Sequence, residues 1–262
     1  MCSRAWLFSS SSIIVPDATY DGCGADELRA LLDLPRVEVY DSVTSTLDVA
    51  HVLGEGGAPA GSLVLAERQT AGRGREGRRW TSIAGSGIWL TMLERPSDPL
   101  ATEVLAIRLG IGAAHALDRF AESPVRLKWP NDLYVGAGKV GGILVESRWR
   151  EQRIEWVAVG VGLNVRLPPD VPTANALRAG ASRVPVLEAI VPAIRAAASA
   201  RGGLSATELA AYAQRDMARG RACRLPAPGV VRGIDERGSL LVGTAVGDVT
   251  CRSGSLVFEE DA

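Results

Sequence analysis

At 262 residues, with 47% hydrophobic and 23% charged side chains, the chain has a globular composition and length for one large domain or a large one joined to a small one. Lys and Arg number 29 against 30 Asp and Glu, a formal net charge of -1, which excludes a general polyanion binder and makes any positive charge a local feature. Cys2, Cys23, Cys223 and Cys251 form no C-x-x-C pair, and His51 and His115 lie far apart, so neither a disulfide framework nor a transition-metal site is expected.

Residues 1–15 carry an apolar run broken by four serines, with no small-residue cleavage site after it. This predicts a partly disordered extension over residues 1–35 rather than a signal peptide. No stretch reaches the roughly 18 uninterrupted apolar residues of a membrane span, and with the scattered cysteines this predicts a cytoplasmic protein with no membrane partner. Residues 25–32 read as a short helix and 37–40 as a first strand. In residues 41–53 the spacing of Leu47, Val49, Ala50, Val52 and Leu53 predicts a helix, with a Ser/Thr cluster before it as N-cap. Ser45 and Thr46 cap by default, although hydroxyls at a helix N-terminus also make a polar grip for a small ligand.

Residues 67–80, E-R-Q-T-A-G-R-G-R-E-G-R-R-W, place five arginines and three glycines between strand-like runs at 62–66 and 87–93. Gly72, Gly74 and Gly77 permit positive φ and close approach to a ligand. Arg73 and Arg75 flank Gly74, so in an extended segment their guanidinium groups converge on one side. Such forks suit carboxylates and phosphates. Two readings follow: a loop that closes over an anion, or a solvated basic loop.

A helix is expected over 102–120 and a strand over 125–127. Residues 128–146, K-W-P-N-D-L-Y-V-G-A-G-K-V-G-G-I-L-V-E, then give a turn at Asn131 and Asp132, a hairpin tip at 136–138 and a strand opening at Lys139. The G-A-G-K sequence is no phosphate loop, because Leu133 and Val140 stand where that pattern needs Gly and Ser/Thr. Lys139 is then either a surface lysine or one projecting into a cleft where Gly141 and Gly142 make room. Residues 156–165 read as a buried strand whose Asn164 needs a partner. A proline-rich loop follows at 167–176, then helices at 186–200 and 206–215. After about residue 218 five short strands with Gly, Pro and Asp turns indicate a small β-barrel.

Three segments, E-x-Q-T-A-G-R-G-R-x-G-R-x-W at 67–80, K-W-P-N-D with G-K-x-x-G-I-L-x-E at 128–146, and G-x-G-x-N at 160–164, resemble the biotin–protein ligases in order and spacing over residues 36 to 260. The resemblance implies an α+β fold. Residues 36–218 would be a catalytic domain like that of class II aminoacyl-tRNA synthetases, and residues 219–262 a small SH3-like β-barrel domain. It implies that biotin and ATP give biotinyl-5′-AMP and pyrophosphate, and that a lysine of a biotin carboxyl-carrier domain then takes the biotin.

By the same resemblance Lys139 sits beside the biotin carboxylate and the α-phosphate, Arg73 and Arg75 close over the adenylate, and Arg78 helps the triphosphate. Ser45, Thr46 and Gln69, with Gly72, Gly74 and Gly142, belong to the biotin site; Trp80, Asn131 and Asn164 lie near the nucleotide. Asp132 is a magnesium (Mg2+) contact. The family usually reads Ser-Thr-Asn where this chain has Ser45-Thr46-Leu47, which removes one side-chain contact to biotin. A homodimer is compatible with the resemblance. Two competitors remain: a lipoate–protein ligase-like adenylate transferase, and a biotin-responsive DNA-binding repressor. Against the latter, the first 35 residues show neither paired helices nor a basic face, so no DNA partner is expected.

Overall fold

The computed structural model describes residues 18–261, so residues 1–17 of the extension expected over 1–35 lie outside the described residues, whereas residues 18–35 are folded onto the main body, with Tyr20 and Leu28 fully buried in its core. Alternating side chains build the centre of the molecule. In β2 (Ser62–Gln69) Leu63 and Leu65 point to one face and Val64 to the other, the period of two expected of a strand covered on both sides. β2 pairs in parallel with β1 (Arg36–Val43) and antiparallel with β3 (Gly87–Glu94), which is buried along its whole length. The long β6 (Gly138–Arg150) and β7 (Arg153–Asn164) follow, then β5 (Asp132–Val135) and β4 (Arg126–Lys128), giving the order β1-β2-β3-β7-β6-β5-β4.

Helices cover the two faces. α1 (Ala25–Leu31) packs beside β1. α2 (Thr46–Glu55) links β1 to β2 and lays Leu47 and Ala50 on Val64 and Ala158. On the opposite face α4 (Leu105–Leu117) and α5 (Arg183–Ser199) pack together over Leu63, Leu90, Val159 and Val161. α6 (Ala206–Arg215) begins with a reciprocal cap, in which Ser205 accepts from the backbone of Glu208 and Glu208 accepts from Ser205.

Two elements differ from the sequence reading. The helix expected over 102–120 is split into α3 (Pro99–Glu103) and α4, with Val104 out of helical geometry between them and a single tight turn at Asp118–Phe120. Asp98 starts α3 by accepting from Leu100 N and Ala101 N, a cap the apolar spacing does not register. β6 runs beyond Glu146 to Arg150, because exposed Arg148 and Arg150 still pair with β7 through the backbone.

After residue 218, β8 (Ala222–Leu225), β9 (Gly229–Ile234), β10 (Leu240–Thr244), β11 (Gly247–Cys251) and β12 (Val257–Phe258) form a five-stranded antiparallel sheet in the order β11-β10-β9-β8-β12. Its apolar side chains, among them Val231, Leu240, Val242 and Phe258, join the main core. Trp129 Nε1 donates to Gly238 O at 2.9 Å, and Lys128 Nζ and the Arg221 guanidinium both lie over the Phe258 ring. The small sheet is therefore seated firmly against the large one.

Candidate active site

The arginine-rich segment between β2 and β3 folds as a short hairpin on a fixed base. Thr70 N and Ala71 N extend the pairing with β1 by donating to Val43 O and Thr44 O, both at 2.9 Å. Glu67 takes both Arg183 Nη atoms at 2.7 Å and also accepts from Gly85 N at 3.0 Å. Arg183, only 6% exposed, holds Asp21 as well. Higher up, Gly74 N donates to Arg78 O at 2.7 Å and Trp80 N to Gly72 O at 2.9 Å. A Cβ on Gly72 would stand 2.6 Å from Trp80 O, so the hairpin closes only with glycine there.

Under this hairpin lies a cleft of about 240 Å³. It draws walls from α2, β2, β6, β7, the hairpin and the 167–176 loop. Thirteen of the fourteen residues singled out in the sequence line it; Gly72 is the exception and shapes the hairpin instead.

One end is a buried polar knot. Gln69 Oε1 accepts from Thr46 N (2.9 Å), Thr46 Oγ1 (3.2 Å) and Ser45 Oγ (3.3 Å), while Gln69 Nε2 donates to Ser82 Oγ at 2.9 Å. Thr91 Oγ1 donates to Thr46 Oγ1 at 2.8 Å. Ser45 also caps α2, accepting from Leu47 N, so capping and cleft-lining coexist. Leu47 is buried and packs on Gly160, making that wall apolar.

The other end is cationic. Lys139 Nζ lies 2.6 Å from Asp132 Oδ1 and 5.2 Å from the Trp80 ring centroid, and Gly142 opposite leaves room for both side chains. Trp80 lies so close to Gly162 that a Cβ there would meet its indole at 2.6 Å. Arg73 and Arg75 part company. Arg73 Nη1 is 2.5 Å from Asp48 Oδ1 and Nη2 is 3.6 Å from Glu146 Oε2. Burial opposes its charge, but the hydrogen bond and field of Asp48, with Glu146 behind, outweigh burial and raise its pKa. Glu146 is in turn held by His51 Nε2 at 2.8 Å, while Trp156 Nε1 donates to His51 Nδ1 at 3.1 Å, which puts the ring proton on Nε2. The hydrogen bond from His51, with the field of Arg73, keeps the Glu146 carboxyl below its usual range. Arg75, by contrast, has a buried Nη1 with no hydrogen-bond partner among the described residues, and desolvation lowers its pKa. A buried guanidinium edge without a partner is a site prepared for an anion.

Asn131 and Asn164 act as clamps in this structure. Asn131 Nδ2 donates to Ile143 O at 2.6 Å, and Asn164 Nδ2 to Asn175 O at 3.0 Å. The proline-rich loop that Asn164 secures was given no part in the site by the sequence. Lys139 N donates to Thr173 O at 2.9 Å and Asn175 N to Lys139 O at 2.8 Å, so residues 173–175 pair beside Lys139 and complete the wall. The Pro-rich composition marked a loop; only the fold shows where it lands. Arg78, at the rim, donates to Ser255 Oγ at 2.6 Å.

Residues 39–164 match the biotin/lipoate A/B protein ligase family model. The chain is 38% identical over 132 residues to the bifunctional ligase/repressor BirA of Bacillus subtilis, a match covering 50% of this chain and 41% of that relative. It therefore spans about two fifths of the length of that protein. It is 30% identical over 214 residues to the biotin–[acetyl-CoA-carboxylase] ligase of Mycobacterium tuberculosis, covering 75% of this chain and 79% of the relative. Among solved structures, a biotin protein ligase from Aquifex aeolicus in complex with biotin and ATP superposes with a TM-score of 0.69 at 26% identity, covering 85% of this chain and 98% of that one.

Proposed function

Because the chain belongs to the biotin–protein ligases of the biotin/lipoate A/B protein ligase family, we propose that it joins biotin to ATP, forming biotinyl-5′-AMP and pyrophosphate, and passes the biotin to a lysine of a carboxyl-carrier domain. The observation that carries this reading is the juxtaposition of Lys139 and the unpartnered Arg75 edge at one end of a cleft whose other end is a neutral polar knot.

The two ends suit two parts of one substrate. Gln69, Ser45 and Thr46 offer an amide and two hydroxyls, each able to donate and accept, as a neutral ureido ring requires. The apolar wall of Leu47, Leu144 and Gly160 suits the alkyl chain between ring and carboxylate. That chain would deliver the carboxylate to the cationic end.

There a carboxylate oxygen attacks the α-phosphorus and the bond to the pyrophosphate oxygen breaks. Two anions meet, and fixed positive charge lowers that barrier as charge shifts toward the leaving group. Lys139 exchanges Asp132 for the carboxylate and α-phosphate. Arg75 fills its open edge with a phosphate oxygen, and Arg78 at the rim takes the triphosphate. Arg73, tied to Asp48 and Glu146, anchors the hairpin beneath them. In the second step the carrier's lysine nitrogen attacks the acyl carbon, AMP leaves, and the nitrogen loses a proton. Between the steps the hairpin keeps water from the mixed anhydride.

Magnesium fits the site in one form. No group of three His, Cys, Asp or Glu among the described residues could cage a metal, and Asp132 is the one carboxylate lining the cleft. One carboxylate plus substrate phosphates is how Mg2+ is commonly held, and the ion would supply charge neutralisation of the triphosphate. We further assign residues 36–218 as the catalytic domain and 219–262 as an SH3-like domain, and place the enzyme in the cytoplasm with ATP and its carrier. No described helix is long and apolar enough to cross a membrane.

The test is pyrophosphate release from the full chain with ATP, Mg2+ and either biotin or lipoate, followed by mass spectrometry of a carboxyl-carrier domain. Release with biotin and a single biotin added to the carrier are expected; release with lipoate alone would overturn the reading.

A further inference from the structure

The arginine hairpin is tied at its tip to the C-terminal sheet. Ser255 lies between β11 and β12, and its Oγ stands 2.6 Å from Arg78 Nη2 and 2.8 Å from Glu76 Oε2. The hydroxyl accepts from the guanidinium and donates to the carboxylate, so a single side chain holds both partners. Glu76 and Arg78 touch each other at 3.3 Å but are about half exposed, and such a pair alone is worth little. What distinguishes this contact is the post to which it is fixed. Leu256 and Phe258, just after Ser255, are 4% and 2% exposed, and the Phe258 ring is capped by Lys128 and Arg221. Glu76 sits at φ +57°, a left-handed turn that costs a non-glycine residue energy and needs outside support.

We propose that Ser255 is a positioning residue for the nucleotide end of the cleft: it fixes the Glu76–Arg78 turn to the C-terminal sheet, so that Arg78 stands at the rim where a triphosphate enters. The C-terminal sheet thereby acts on the catalytic cleft through one hydroxyl. This inference rests on the nucleotide reading of the cleft, and its consequence is a separation between the two substrates. Ser255 bears on ATP and leaves the biotin end, on the far side of Lys139, alone.

The experiment compares the full chain with Ser255→Ala and Ser255→Thr. Alanine removes both hydrogen bonds and threonine keeps them. With no ligand present, trypsin should cut the 73–79 arginines faster in the alanine variant, by roughly two- to tenfold, the worth of one or two partly exposed hydrogen bonds. In turnover, KM for ATP should rise by a similar factor of about two to ten, with kcat and KM for biotin nearly unchanged. Threonine should restore both, and Ser255→Ala should add nothing in an Arg78→Ala background. Equal rises in both KM values, unaltered hairpin cleavage, or no rescue by threonine would overturn the proposal. A wild-type chain that releases no pyrophosphate would instead sink the ligase reading, and the trypsin comparison would still decide whether Ser255 holds the hairpin.

Discussion

Lys139 Nζ stands 2.6 Å from Asp132 Oδ1, an amine of β6 held by the first residue of the strand beside it. The pair puts a lysine at the floor of the cleft without leaving its charge uncompensated, and a substrate carboxylate can replace Asp132 with little rearrangement. Lys139→Ala is therefore expected to lower biotin-dependent pyrophosphate release by about 10²–10³-fold, the usual worth of one fixed group at a developing charge. The fold should survive, because both side chains are partly exposed and the pair contributes on the order of 1 kcal/mol or less. Unaltered pyrophosphate release from a folded variant would remove Lys139 from the reaction.

Arg73 and Arg75, two residues apart, are predicted to fail differently. Arg75 carries the unpartnered edge, so Arg75→Gly should still form the adenylate but hold it poorly, and bystander lysines would be labelled. Counting biotinylated lysines on an added carrier-unrelated protein reads this directly; a variant as selective as the wild type contradicts the role. Arg73→Ala should instead loosen the hairpin from Asp48 and Glu146, lowering hairpin protection against trypsin even without ligand.

The difference between those arginines marks where the sequence stops being informative. Gln69, Lys139 and the glycines were legible because local spacing and a family pattern carry them. Partners distant in the chain were not. Arg183 lies 116 residues from Glu67 and 162 from Asp21, so nothing near Arg183 announces that it supports the hairpin base. Thr173 joins the site only because β6 and the proline-rich loop happen to pair beside Lys139. The break at Val104 escaped for a different reason: a one-residue interruption leaves the apolar stripe of a helix nearly in phase. Sheet order beyond adjacent hairpins was likewise unreadable, since β3 pairs with β7 across the 58 intervening residues 95–152.

Gly162→Ala probes the Trp80 wall separately from the charges. The new methyl would stand 2.6–2.8 Å from the indole, the end of a hairpin side chain that can swing away, whereas the backbone of β7 cannot. The cost should fall on the ligand wall rather than on folding. Thermal stability is expected to stay within about 1 kcal/mol while KM for ATP rises severalfold. A large loss of stability with unchanged ATP binding would show that Trp80 packs as core.

Far from the cleft, Glu94 ends β3 with its side chain 8% exposed and Arg195 Nε 3.0 Å away, at an angle that makes no hydrogen bond. Burial outweighs the attraction of Arg195 and raises the carboxyl from 4.5 to about 7. The native state thus holds a proton that the unfolded chain releases near pH 4.5. Stability gained from the protonated form is complete below that value, declines as pH rises toward 7, and is absent above it. Glu94→Gln keeps the shape and removes the titration. At pH 8 it should stabilise the protein by about 1–3 kcal/mol, and at pH 4.5 it should change little. Denaturant unfolding at the two pH values checks this; equal effects at both, or destabilisation at pH 8, would mean that Arg195 compensates the buried charge in full.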